Sequence, residues 1–352
     1  MVLRERLSDI REVIHMTIRE ELEKMEWETL SPYATLSVNT KGRERGEEQC
    51  DVRPVFQRDR DRILHCKAFR RLKNKTQVFL TPKGDHYRTR LSHTLEVSQN
   101  ARTIAKALRL NEDLVEAIAL GHDMGHTPFG HAGEQVLNEI CEDGFRHNEQ
   151  SVRIVEKLEK NGMGLNLTWE VRDGILNHQS KSMPHTLEGK VVRLSDKIAY
   201  VYHDVDDAIR AEILTEDDIP LEIRKTLGFT TKQRLNTLIH NVIMNSMNQD
   251  DIRMSADIQE AMFELRHFMF DHVYTNPIAK GEEVKAKAMI RQLFGFYKDH
   301  IEFLPEKYLA MLDEGEKTER VICDYIAGMT DQYAITKFSE YFLPQAWQVD
   351  GY

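Results

Sequence analysis

A chain of 352 residues, 41% hydrophobic and 30% charged, holds core for about two domains and is too rich in Leu, Ile, Val and Phe to stay disordered. Its uncharged apolar stretches fall short of the roughly 18 residues that mark a membrane span, and an N-terminus laced with Arg4, Glu5, Arg6, Asp9, Arg11 and Glu12 lacks the apolar core of a signal peptide. A cytoplasmic protein without membrane contact is expected. The formal charge of −10 argues against a surface that attracts polyanions as a whole, although residues 58–75 carry eight Lys/Arg against two acids.

Helical signals dominate along the chain. Ile10, Val13, Ile14, Ile18 and Leu22 recur near 3.6 residues and predict one amphipathic helix over 9–27. Residues 29–57, with Pro32, Gly42, Gly46 and Pro54, read as irregular. A helix with a basic outer face is expected over 61–73, and a turn at Thr81-Pro82-Lys83-Gly84-Asp85. Ser92 is the expected N-cap of a helix to about Leu108 that points Leu95, Ile104, Ala105 and Leu108 inward. Asn111 should cap the next helix to about His122, apolar on most faces and therefore buried. Asn148 is expected to cap a helix over 149–158, and residues 186–210 form a long helix. After a break near Leu214–Pro220, residues 230–270, 281–300 and 305–340 again read as helical, with a turn at Asp313–Glu316. Short β-elements fit Val78–Leu80 and Gly228–Thr231. The expectation is an all-α protein: an N-terminal helix and irregular segment (1–57), a catalytic domain (58–215) and a smaller helical C-terminal domain (216–352).

Cys50, Cys66, Cys141 and Cys323 include no C-x-x-C pair, which speaks against a thiolate zinc site; reduced, mostly buried thiols are expected.

The informative stretch is Gly121-His122-Asp123-Met124-Gly125-His126-Thr127-Pro128-Phe129-Gly130-His131-Ala132-Gly133-Glu134. It places three His, an Asp and a Glu at the end of a helix that should be buried. A lone His is more often structural than a ligand. Burying this many ionisable groups together, however, costs several kcal/mol each unless a cation compensates. Gly125, Gly130 and Gly133 allow tight turns and close approach, and Pro128 suits the first turn of a new helix. His122 and His126 share a face while the helix lasts; His131 and Glu134 are neighbours on the next helix. His93, after Arg88-Thr89-Arg90, and Asp196, mid-helix among Val192, Leu194 and Ile198, supply a second His and a second carboxylate. Two His and two Asp suit Mn, Mg, Fe, Co, Ni or Zn and leave two positions open in an octahedral site.

The pattern His93, His122-Asp123, Asp196 resembles that of the HD superfamily of metal-dependent phosphohydrolases. The surrounding residues, Asp59–His65, Phe69–Phe79, Arg88–His93, His122–Glu134 and Leu194–Tyr200, resemble its dGTP triphosphohydrolase branch over about residues 28–210. The resemblance implies an HD helical bundle with a phosphohydrolase-associated C-terminal domain. It implies hydrolysis of a deoxynucleoside triphosphate (dGTP or several dNTPs) to deoxynucleoside and tripolyphosphate by water attack at the α-phosphorus. It also implies a divalent metal, Mn or Mg foremost, on His93, His122, Asp123 and Asp196. Catalytic roles map onto His131 and its acidic partner Glu134, with His126 at another active-site position. Arg90, Lys197 and Tyr200 match positions holding phosphate and sugar, and Gln77 and Asp204 match sugar contacts. A homo-oligomer, tetramer or hexamer, is implied as well.

Two readings compete. One is a different HD phosphohydrolase, a nucleotidase or phosphodiesterase, for which the tetrad alone would suffice. The other is a dNTP-sensing or single-stranded nucleic-acid-binding module that uses the basic stretch 58–75. No aromatic platform accompanies those residues, so pairing with nearby carboxylates is favoured.

Overall fold

The computed structural model describes residues 16–77, 88–274 and 277–344. Among these the chain is all-helical, with sixteen α-helices and only two isolated bridges, Arg43 with Thr168 and Thr76 with Thr89. None of the described helices is long and apolar enough to cross a membrane.

Six helices position the site: α4 (Arg90–Leu108), α5 (Glu112–Gly121), α6 (Gly130–Ile140), α7 (His147–Arg153), α8 (Trp169–Leu176) and α9 (Leu187–Arg210). Three precede them, α1 (Ile18–Thr29), α2 (Val55–Leu64) and α3 (Lys67–Arg71). Seven follow, α10 (Leu221–Leu227), α11 (Thr231–Ser246), α12 (Ala256–Met269), α13 (Pro277–Asp299), α14 (Glu306–Asp313), α15 (Thr318–Ala327) and α16 (Asp331–Phe342). Helix α5 is the hub. Leu114, Val115, Ala117, Ile118, Ala119 and Leu120 are all buried, and α2, α4, α8 and α9 pack around it. Each fully buried Leu, Ile or Val there contributes about 1.5–3 kcal/mol. One apolar core runs from Phe56 to Val273 and takes in α11 and α12. A second joins α6 to the C-terminal helices through Phe129, Val136, Leu137, Ile290, Leu293 and Ile322.

Several local expectations change. The described part of 9–27 is a helix only from Ile18, because Thr17 is an extended N-cap with a reciprocal Glu20 box; residues 9–15 lie outside the described residues. The 61–73 helix is two pieces, α2 and α3, broken where Cys66 caps α3. Thr89, not Ser92, caps α4: Thr89 accepts from the Ser92 amide while Ser92 accepts from that of Thr89. Leu95 is 49% exposed, whereas Ile104, Ala105 and Leu108 are buried as expected, because the nine residues between Leu95 and Ile104 put them on opposite sides of a helix with 3.6 residues per turn. Asn111 does cap α5. Asn148 lies inside α7, after an Arg146 cap, and donates to the Leu176 carbonyl; Ile154–Leu158 then widens to a π turn. Pro128 precedes the α6 cap, Phe129, rather than opening the helix. Residues 228–231 form no strand, since Thr230 caps α11. The Val78–Leu80 and Thr81–Asp85 expectations lie outside the described residues.

The N-terminal part of the basic stretch is neutralised within the chain. Arg58 and Arg62 meet Glu47, Arg60 meets Asp61, Asp113 and Glu116, and Lys75 is fully buried.

Candidate metal centre and its histidine surround

Three helices converge on one point. His93 lies in the first turn of α4, His122 and Asp123 follow the last turn of α5, and Asp196 sits midway along α9. His93 Nε2 is 3.1 Å from Asp196 Oδ1 and 3.9 Å from Asp123 Oδ2. His122 Nε2 is 3.5 Å from Asp123 Oδ1 and 3.6 Å from Asp196 Oδ1. All four predicted ligands are therefore brought together.

Tautomers follow from the partners. His122 Nδ1 is 2.7 Å from the Ala119 carbonyl, which only accepts, so Nδ1 carries the proton. Nε2 is then a bare lone pair, buried, without a hydrogen-bond partner and facing two carboxylates. Such an arrangement demands a positive charge. Burial alone would lower the His122 pKa, but Asp123 and Asp196 overcome it and push it up to about 9. Burial likewise works against ionising Asp123, yet His122, His126 and Arg90 hold it well below the usual carboxylate range. Asp196 is depressed in the same way by His122 and His93. Imidazole nitrogens and carboxylates that crowd together while still short of positive charge fit a divalent cation, and His93, His122 and Asp123 form a group able to hold one.

The second predicted group sits beside the first. After α5 the chain turns, so His126 leaves the helical face it was expected to share with His122, yet its Nε2 comes 3.2 Å from Asp123 Oδ1. Gly125 makes this turn possible: a Cβ there would lie 2.2 Å from the His147 carbonyl and 2.3 Å from the Ser151 amide. Gly130 adopts φ +56°, following Phe129 at φ +62°, and starts α6 so that His131 and Glu134 share a face. His131 is 64% exposed, with Nδ1 3.5 Å from Glu134 Oε2. Glu134 has a closer partner that no motif marks. His147 places Nδ1 2.9 and 3.0 Å from its two oxygens and donates its backbone N–H to it at 2.8 Å. Burial opposes ionisation of Glu134, but His147, His131 and His126 hold its carboxyl far below its ordinary value. The His147 ring stacks on His126 at 3.8 Å between centroids, and its Nε2 lies 3.1 Å from His178 Nε2. His147 and His178 lay among fifteen histidines with no motif to mark them.

The remaining predicted residues spread around the centre. Arg90 is 3% exposed and fully engaged: Nη1 donates to Asp123 at 2.8 Å, Nε to the Thr76 carbonyl and Nη2 to that of Gln77. The buried Gln77 Oε1 has no partner among the described residues. Lys197 is half-buried beside Asp196; burial, then Arg193 and Arg266, lower its pKa to about 8. Tyr200 lies one turn further along α9, with the Arg266 guanidinium 6.0 Å from its ring centre. Arg266, from α12, is a cation the motifs did not anticipate. Asp204 is buried on α9, two turns past Asp196.

Residues 90–201 match the HD domain and residues 252–340 match the phosphohydrolase-associated domain. Together with the helical fold and the His/Asp cluster, these matches define an HD-domain hydrolase. Over 94% of its length the chain is 57% identical to a "deoxyguanosinetriphosphate triphosphohydrolase-like protein" of Caldanaerobacter subterraneus subsp. tengcongensis, covering 98% of that protein. Proteins of the same name from Desulfatibacillum aliphaticivorans and Clostridium perfringens are 48% and 49% identical, over 94% of this chain and 99% of theirs. The chain belongs to the deoxyguanosinetriphosphate triphosphohydrolase-like family.

Proposed function

We propose that this chain hydrolyses deoxynucleoside triphosphates, dGTP or several dNTPs, to deoxynucleoside and tripolyphosphate, with a divalent cation held by His93, His122, Asp123 and Asp196. The observation that carries the reading is the position of Asp123. Its Oδ1 faces His122 Nε2 on one side and His126 Nε2 on the other, at 3.5 and 3.2 Å. One carboxylate thus joins the metal group to the histidine and glutamate group that can move protons. A cation bound there, Mn or Mg foremost, supplies charge against a phosphate oxygen and acidifies water.

The chain's own residues do the rest. His131, exposed on α6, protonates the leaving 5′-oxygen or takes the proton of the attacking water. Glu134 beneath it steers the ring and stabilises its charged form. His126 links the two groups. Arg90 braces Asp123 and keeps a fixed positive charge beside the α-phosphate. Lys197, on a rim it shares with Arg266, receives the outer phosphates. Tyr200 packs on the sugar and closes the space of a 2′-hydroxyl, with Gln77 and Asp204 completing the sugar contacts. A cytoplasmic homo-oligomer belongs to the same reading.

The test is a panel of dNTPs with Mn, Mg or Co, scored for the phosphorus product. Tripolyphosphate is expected. Orthophosphate or pyrophosphate from the same substrates would replace this reading with a nucleotidase or phosphodiesterase. Filter binding of single-stranded DNA across a salt series addresses the basic stretch, where its internal ion pairs predict weak binding.

A further inference from the structure

Two of the four cysteines meet across the second core. Cys141 ends α6, and Cys323 lies in the middle of α15. Both are free thiols, 5% and 0% exposed, with their Sγ atoms 2.7 Å apart. That is inside the roughly 3.5–4.0 Å at which unbonded heavy atoms rest against each other, so no other side chain separates them. The remaining two are placed elsewhere: Cys66 Sγ rests 3.6 Å from Met124 Sδ, and the half-buried Cys50 meets Asp51.

The members of the pair stand differently toward solvent. Cys141 is followed directly by the exposed Glu142 and Asp143, and helix ends fray, so a small solute reaches it first. Cys323 lies behind it and donates its S–H to the Cys141 sulfur. That hydrogen bond lowers the Cys141 pKa; burial opposes the shift and Arg320 adds to it. Because the thiolate is the nucleophile, Cys141 is the thiol that meets an oxidant and Cys323 the one that resolves the product.

We propose that Cys141 and Cys323 form a peroxide-sensitive pair that closes to an intrachain disulfide and locks α6 to α15. The Cys141 thiolate attacks one oxygen of hydrogen peroxide. The O–O bond breaks, water leaves, and Cys141 becomes a sulfenic acid. The Cys323 sulfur then attacks the Cys141 sulfur; the S–S bond forms, the S–O bond breaks, and hydroxide departs with the Cys323 proton as a second water. The two thiols lose two electrons and two protons in all, and a dithiol reductant returns them by exchange. The bond joins residues 182 apart in sequence, and a long closed loop restrains the unfolded chain most. Its ends are also well placed. Helix α6 carries His131 and Glu134 in its first turns, while α15 carries Asp324, which accepts from Gln150 and Arg153 of α7, and Ala327, whose carbonyl accepts from Lys75. In a reducing compartment such a bond is transient and reports oxidation.

The test exposes the folded, reduced full chain to hydrogen peroxide, blocks the remaining thiols with an alkylating agent and digests it without reductant. A peptide linking Cys141 to Cys323, lighter by two hydrogens than its reduced parts, is expected. The melting temperature should rise in the oxidised chain, return with dithiothreitol, and stay unmoved by peroxide in Cys141→Ser. Cys50→Ser should leave the link and the shift as they are. Alkylation of both core thiols after peroxide, a Cys141 that stops at sulfinic acid, or an oxidised chain that melts where the reduced one does overturns the proposal. Should Cys141→Ser fail to fold, the linked peptide and its reversal in the unaltered chain decide alone.

Discussion

The two halves of the site are built differently. The proposed tetrad draws its residues from three helices far apart in sequence, each fixed by the buried faces of α4, α5 and α9, and its ionisable groups and Arg90 stand 2.8–3.6 Å from one another. The Glu134 half comes from one loop and the helices it joins, turns through two left-handed residues, and ends on a His131 that is 64% exposed. Core packing fixes the first half before any ligand arrives, while solvent and substrate complete the second. A residue of the tetrad should therefore affect binding and stability together, and His131 should affect turnover alone.

Asp123→Ala strikes the first half hardest. It deletes a ligand and leaves the Arg90 guanidinium buried without its carboxylate, which should cost about 3–5 kcal/mol and abolish metal binding. Calorimetry that placed the variant within about 1 kcal/mol of the parent would break the comparison. His131→Ala should slow turnover about 10²–10⁴-fold while leaving the melting temperature and metal content unchanged; any loss of bound metal would merge the two halves.

Stripping the ion with a chelator should lower stability by about 2.7 kcal/mol relative to metal at 100 times its Kd, a shift readable by melting with and without EDTA and absent in Asp123→Ala. Gly125→Ala should cost about 1–3 kcal/mol, because the new Cβ meets the backbone of His147 and Ser151. Its damage should fall on the Glu134 half, with turnover reduced at normal metal affinity. Thr89→Ala, which removes the cap of the helix that carries His93, should cost about 1 kcal/mol in chemical denaturation, the smallest effect of the five.

Legibility in the sequence followed the same division. The four residues of the proposed tetrad could be singled out because they lie in or directly after periodic apolar helices, where an unpaired carboxylate such as Asp196 would be costly. The start of α4 could not, because Thr89 and Ser92 are both capping residues three apart and each satisfies the other's amide. His126 was expected on the face of His122, but the helix stops at Gly121, and the turn brings His126 to Asp123 from another side. His147, His178 and Arg266 were hidden for a further reason. What makes them neighbours is the packing of α7, α8 and α12 around the centre, and no local spacing encodes that.

The Asp331 carboxylate, at the start of α16, accepts from Thr76 N, Thr76 Oγ1 and Phe129 N, and the buried Lys75 ammonium donates to the carbonyls of His126 and Ala327. Helices near the C-terminal end thus clasp the loop between His122 and His131 from behind. In evolutionary terms the catalytic segment is not a portable module: a recombinant that kept residues 58–215 but acquired an unrelated tail would inherit every ligand and lose the splint that sets the angle between them. Exchange between relatives should succeed only where both sides of this clasp travel together.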